Sequence, residues 1–187
     1  MQDLIETFDF AVLDFIAEHM RCAFLDVWMP LVTKLGDGGI FWICIAVILL
    51  FFKKYRRVGL MMGASFLLGV LVVNVTIKPL VGRVRPYDVN TNIELLIEKL
   101  SDFSFPSGHT LVCFEAATVL MINDKRFGIP ALIIAILVAF SRLYLYVHYP
   151  TDVIAGILLG ILSGLFGVWI VKYMERRYRV RQGSVMH

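Results

Sequence analysis

The sequence predicts an all-α fold, a polytopic membrane helix bundle of five transmembrane helices with amphipathic surface helices at its N-terminus. Three observations lead there. Of 187 residues 59% are hydrophobic and 18% charged, and the mean hydropathy is +0.78, outside the range of ordinary soluble domains. The apolar runs approach the roughly 20 residues a helix needs to cross about 30 Å of hydrocarbon. The short alternating segments of a membrane barrel are missing.

Leu4, Ile5, Phe8, Val12, Phe15 and Ile16 recur at helical spacing, with Asp3, Glu6, Asp9 and Asp14 between them. That is the pattern of an amphipathic helix lying on a surface. Phe24 to Leu35, with Trp28 as interfacial anchor and Pro30 interrupting, reads as a second surface element, so 1–35 is assigned to the surface. Acidic residues open the chain where a cleavable signal peptide has a basic region. Gly36-Asp37-Gly38-Gly39 is a turn. Spans follow at 40–52, 58–77, 110–122, 127–147 and 153–171, within a transmembrane catalytic core of 36–172. A basic tail, 173–187, completes a single domain of residues 1–187.

The net charge of +3 is unevenly spread. Residues 1–37 hold seven acids against Arg21 and Lys34, whereas the tail from Lys172 holds five bases against Glu175. Lys53, Lys54, Arg56 and Arg57 fill one short loop and Lys125-Arg126 another. Short basic loops stay on the cytoplasmic side, and a basic cluster beside a span suits anionic lipid rather than nucleic acid. The expectation is a multi-pass protein of the cell (inner or plasma) membrane with a cytoplasmic C-terminus. Lys78, Arg83, Arg85, His109, Arg142, His148 and Asp152 then share the extracytoplasmic face. Cys22, Cys44 and Cys113 have neither disulfide nor metal spacing.

That convergence carries chemistry. Arg85 and Arg142 offer planar forks matched to phosphate oxygens, and Lys78 adds a point charge. Such a trio can stabilise the charge that develops in phosphoryl transfer. Pro106-Ser107-Gly108-His109 stands where a loop becomes a helix, so Ser107 and Gly108 sit at an N-terminal anion site. His148 and Asp152 are four apart across Pro150, which turns the histidine out of the helix while the aspartate stays in its first turn. A carboxylate on one imidazole nitrogen makes the other a better nucleophile or base, leaving His109 for proton transfer. Two histidines and one aspartate among cations make a poor metal site. The alternative is an anion-binding transporter using the same pocket, although broken, repeated helix pairs are missing.

Lys78-x6-Arg85-Pro86, Pro106-Ser107-Gly108-His109 and Ser141-Arg142-x5-His148-x3-Asp152 resemble, at matching spacing, the three-part signature of the type 2 phosphatidic acid phosphatase superfamily. That superfamily includes bacterial undecaprenyl-diphosphatases and phosphatidylglycerophosphatases. The resemblance implies a lipid phosphatase acting on undecaprenyl diphosphate, phosphatidylglycerophosphate or phosphatidic acid. It implies His148 as nucleophile through a phosphohistidine, Asp152 orienting it and His109 as acid for the leaving group. Lys78, Arg85, Ser107, Gly108 and Arg142 would bind phosphate. No metal or other cofactor is implied, and the partners are the lipid substrate and membrane lipids, with no obligate protein partner.

Several polar residues stand outside the signature. Glu115 lies six residues beyond His109, about 600° of helix, so it should face away from that histidine, toward a neighbouring helix or as a selectivity wall. Asn74 precedes Lys78 by a turn and could orient it. Arg83 and Asp88 are expected to meet a headgroup or each other, and Tyr87, Tyr144, Tyr146 and Tyr149 to form an interfacial aromatic belt.

Overall fold

The computed structural model describes residues 2–183, with side chains from Leu4 to Arg179; Arg181 and the end of the basic tail lie outside the described side chains. Among these residues the secondary structure is helical and contains no strand. The principal helices are α1 (Gln2–His19), α2 (Ala23–Thr33), α3 (Ile40–Phe51), α4 (Arg56–Gly69), α5 (Gly108–Asn123), α6 (Lys125–Tyr144) and α7 (Pro150–Gly183). A π-helical stretch, Val70–Ile77, and a last turn, Lys78–Val81, carry α4 onward to the motif residues.

Four helical runs are long and apolar enough to cross a membrane: Ala23–Phe51, Arg56–Val89, Lys125–Tyr144 and Pro150–Arg179. Gly108–Asn123 is a shorter apolar helix. The second surface element of the sequence reading is therefore joined to the first span, with a kink between them rather than a free turn. Asp37 has ψ 116°, and Gly38 and Gly39 have φ of 55° and 67°, a left-handed region that costs glycine little. A Cβ on Gly39 would also come within 2.9 Å of Val112 on α5.

Helix α5 lies at the centre, packed on α4, α6 and α7. Its buried residues are mostly small, including Cys113, Ala116, Ala117 and Val119. Gly156, Gly160 and Gly164 of α7 face it at four-residue intervals, and a Cβ on any of them would meet α5 or the Ser107 carbonyl just before it at 2.7 Å. Without a hydrophobic driving force between helices in lipid, this close approach supplies the packing. Asp124 alone joins α5 to α6 and caps the second helix, its Oδ1 accepting from Arg126 N at 2.9 Å. At this end Tyr55 meets Phe127 with ring centroids 5.8 Å apart, and Arg57 pairs with Glu175 at 2.7 Å, so the basic loops gather away from the signature residues.

Helix α1 divides both its apolar and its acidic residues between the bundle and the outside. Asp9, Leu13 and Ile16 are buried against the bundle, whereas Leu4, Ile5, Phe8 and Phe15 are exposed. The acids between the apolar residues are ties. Tyr146 Oη donates to Asp14 Oδ1 at 2.6 Å, and Tyr144 Oη to Asp26 Oδ1 of α2 at 2.6 Å. The expected aromatic belt is thus corrected: Tyr87, Tyr144, Tyr146 and Tyr149 are buried. Each tyrosine joins a large apolar body to one hydrogen-bonding tip, which suits a buried seam beside carboxylates as well as it suits an interface.

Candidate active site

The signature residues come from several elements. Lys78 begins the last turn of the α4 extension, and Gly82, at φ 58°, turns the chain out toward Arg85. Ser107 is the N-cap of α5, its Oγ accepting from Thr110 N at 3.5 Å and lying 2.9 Å from Thr110 Oγ1. Arg142 is in the last turn of α6, His148 lies in the link that follows, and Asp152 is in the first turn of α7. Ser107 N donates to the Asp152 carbonyl at 3.1 Å, which locks the α5 start to the α7 start.

His148 is 1% exposed and sits between a carboxylate and a cation. Its Nδ1 lies 3.4 Å from Asp152 Oδ2, and its Nε2 lies 3.3 Å from Arg85 Nη1. A guanidinium only donates, so Nε2 must accept, and the ring proton belongs on Nδ1 facing the carboxylate. Burial pushes the imidazole down against the pull of Asp152, and the charges of Arg142 and Arg85 add to the lowering, bringing it to about 3. Nε2 is therefore unprotonated at neutral pH, its lone pair turned toward Arg85.

Asp152 is fully buried and held at both oxygens. Oδ2 accepts from Ser104 Oγ at 2.5 Å and Tyr149 N at 3.0 Å; Oδ1 accepts from Arg83 Nη1 at 2.6 Å. Arg85 donates to the Val147 carbonyl at 2.7 Å, the Asp102 carbonyl at 2.8 Å and Asp102 Oδ1 at 2.5 Å. Lys78 pairs with the other oxygen of the same carboxylate. Burial alone would raise Asp102, but these two cations bring it down to about 2.

Arg142 is 1% exposed. One nitrogen, Nη1, donates to Thr33 Oγ1, while Nε and Nη2 are buried and without a partner. Buried donors are almost always satisfied, so this guanidinium has capacity for an anion. His109 is partly exposed, with Nε2 2.6 Å from Asp37 Oδ1 in the α2–α3 kink. Gly36 lies so close that a Cβ there would stand 2.8 Å from the imidazole, so the kink both seats and pairs this histidine.

A cavity of about 210 Å³ opens on Lys78, Asp102, Gly108 and His109 at one end and on Phe66, Val70 and Glu115 at the other. Glu115 thus shares a cavity with His109, against the expectation that it faces away. It is 1% exposed, and its Oε1 has no partner. The bare Gly69 leaves room for that oxygen, since a side chain there would collide with it. Asn74 lines the same cavity. Arg83 and Asp88 do not pair with each other: Arg83 binds Asp9 and Asp152, and Asp88 binds Lys99 at 2.7 Å.

Sequence reasoning left Asp9, Asp37, Asp102 and Ser104 out of the site. Asp37 stood in a glycine turn and Asp102 in a charge-balanced loop, where neither periodicity nor spacing announces a partner. Asp9 stood on what looked like a wetted face; its only signal was an excess of acids unmatched by local bases.

An all-helical bundle with membrane-length runs and a small cation-lined cavity at one end defines the class, a polytopic membrane protein with a buried polar site. The PAP2 superfamily pattern matches residues 57–176. An undecaprenyl-diphosphatase of Sulfolobus acidocaldarius is 36% identical over 146 residues, 78% of this chain and 70% of that protein. The crystal structure of a transmembrane PAP2-type phosphatidylglycerolphosphate phosphatase from Bacillus subtilis superposes with a TM-score of 0.72 at 30% identity, covering 93% of this chain and 87% of that one. That of Aquifex aeolicus LpxE gives 0.69 at 27% identity, covering 86% and 94%. The chain belongs to the PAP2 superfamily, among its membrane lipid phosphatases.

Proposed function

We propose that the protein removes the terminal phosphate of a lipid phosphomonoester or diphosphate through a phosphohistidine on His148. The two buried nitrogens of Arg142 carry the reading, because they offer a phosphate donors that no group among the described residues takes up. Lys78 and Arg85 complete the cationic cradle, with Asp102 exchanging their charge for that of the incoming phosphate. Ser107 and Gly108 shape the start of α5 around it.

His148 Nε2 attacks phosphorus while the bond to the lipid oxygen breaks. Asp152 holds the Nδ1 proton and stabilises the positive charge that forms on the ring. His109, kept in place by Asp37, gives a proton to the departing oxygen. The same imidazole then takes a proton from water as that water attacks the phosphohistidine, releasing inorganic phosphate and restoring His148. No step calls for a metal, and the basic loops at the other end favour an extracytoplasmic site with the C-terminus in the cytoplasm.

Undecaprenyl diphosphate is the favoured substrate. Polyprenyl carriers are dephosphorylated on the face to which this site is assigned, and the Sulfolobus relative is an undecaprenyl-diphosphatase. The test is phosphate release by purified protein in detergent against undecaprenyl diphosphate, phosphatidylglycerophosphate and phosphatidic acid, with His148→Ala and a chelator as controls. Activity on at least one lipid, insensitive to chelator and lost in His148→Ala, is expected. Full activity in His148→Ala removes the phosphohistidine, and loss with chelator restores a metal.

A further inference from the structure

The oxygen of Asp152 that faces away from His148 is held by an arginine outside the signature, and that arginine is held by the N-terminal helix. Arg83 Nη1 donates to Asp152 Oδ1 at 2.6 Å and to Thr151 Oγ1 at 2.7 Å, while Nη2 donates to Asp9 Oδ2 at 2.6 Å. The guanidinium lies 3.8 Å over the ring of Tyr149, which Phe10 of α1 meets edge-on at 5.4 Å. Asp9 has no exposed surface and also accepts from Thr151 N at 3.0 Å and Thr151 Oγ1 at 2.7 Å. It therefore satisfies one of the free N–H groups at the start of α7, the positive end of the helix that carries Asp152.

Fastening α1 to the bundle does not require this. Leu13 and Ile16 already bury an apolar face there, and a buried ion pair is weak evidence for stability because desolvation offsets much of its attraction. What the pair adds is direction. Oδ2 of Asp152 is fixed from two sides by Ser104 and Tyr149, but among the described contacts Oδ1 has only Arg83, which is itself held by Asp9, by Thr151 and by the face of Tyr149. Without Asp9, the guanidinium would be free to swing toward Asp152 or toward an incoming phosphate. Either movement tilts the carboxylate that aims His148.

Resting on the reading of His148 as nucleophile, we infer that Asp9 and Arg83 are positioning residues for the His148–Asp152 pair, so that α1 is part of the catalytic mount. The experiment uses the full chain in detergent with short-chain phosphatidic acid or farnesyl diphosphate, whichever the wild type hydrolyses faster. It reads kcat, KM, the inhibition constant of inorganic phosphate and the melting temperature. Asp9→Asn should lower kcat roughly 10- to 100-fold, the scale of a small misplacement of reacting groups, with KM and phosphate inhibition within about twofold. Arg83→Met should do the same, Asp9→Glu should recover part of the loss, and the double variant should be no slower than the slower single one, because the residues act as a unit.

A kcat within about twofold of wild type in Asp9→Asn, losses that multiply in the double variant, or phosphate affinity falling in step with kcat would each overturn the inference. If Asp9→Asn does not accumulate, Thr151→Val carries the test: removing the hydroxyl between Asp9 and Arg83 should lower kcat by roughly threefold or more, and an unchanged kcat overturns the inference. His148→Ala separates the layers. Its retaining activity removes the underlying mechanism, whereas an inactive His148→Ala beside a wild-type Asp9→Asn removes the positioning role alone.

Discussion

The two ends of the bundle treat charge in opposite ways. At one end Arg85, Arg142, His148, Asp152 and Asp9 are all at most 2% exposed and bond to partners from α1, α2, α7 and the loops that join the helices. At the other, Lys53, Lys54, Arg56, Lys125 and Arg126 are exposed, and the pair Arg57–Glu175 stands half in solvent, with side chains 47% and 36% exposed. That second end also holds a larger cavity, about 470 Å³, lined mostly by apolar residues such as Phe41, Trp42, Leu49, Leu120 and Phe127. Volume by itself marks a gap between helices; a site needs polar groups that converge and are left with capacity to spare.

Substitutions can break this contrast, beginning with the strongest. His148→Ala should lower phosphate release by at least about a thousandfold, as loss of a nucleophile does, with the fold retained by melting temperature. A variant with more than a tenth of wild-type activity would defeat the assignment of the buried end. Arg142→Lys keeps the charge but loses the fork, so kcat/KM should drop roughly 100-fold, the effect of removing one preorganised donor, and inorganic phosphate should inhibit more weakly. If lysine serves as well as arginine, the unpartnered nitrogens are not the phosphate's.

Acid should act first on the buried end. Both His148, brought to about 3, and Asp102, brought to about 2, lie below their unfolded values, so each stabilises the fold above its unfolded pKa. The histidine contribution fades as pH falls from about 6.5 toward 3, and the aspartate contribution from about 4 toward 2. Melting curves across pH should show these windows; His148→Asn should flatten the first and Asp102→Asn the second. Unchanged curves in both variants would mean that neither group is held as described. Glu115→Gln should act more mildly, shifting the ratio of rates on polyprenyl and diacylglycerol substrates by a few-fold, the scale of one uncharged hydrogen bond. An identical ratio would leave Glu115 a purely structural residue. Smallest of all, Arg57→Ala should cost at most about 1 kcal/mol, leave kcat untouched and lose its effect in high salt.

Much of the buried end was legible in the sequence because the signature residues carry their own spacing. Lys78, Arg85, His109, Arg142, His148 and Asp152 could be assigned to one face by counting spans, although α2 and α3 form one kinked run rather than a surface element and a separate span. Their supports were not legible. Asp37 reaches His109 across 72 residues of sequence and Asp9 reaches Arg83 across 74, and no local pattern encodes such pairs. At α1 the pattern showed a helix but not which residues it buries: Leu13 and Ile16 go inward together with Asp9, while Phe8 and Phe15 stay outside. Beside lipid an outward apolar residue costs little, so periodicity alone does not select the buried face.

Helix α7 runs unbroken for 34 residues, about 51 Å at 1.5 Å per residue, well beyond the roughly 30 Å of a hydrocarbon core. It begins one residue after Tyr149 and two before Asp152, and near its far end Glu175 meets Arg57. The protein therefore carries its own rigid handle. A soluble marker fused in helical register after Arg179 would stand clear of the bilayer yet share one stiff axis with Asp152, giving an imaging fiducial or a distance probe that reports directly on the far side of the membrane.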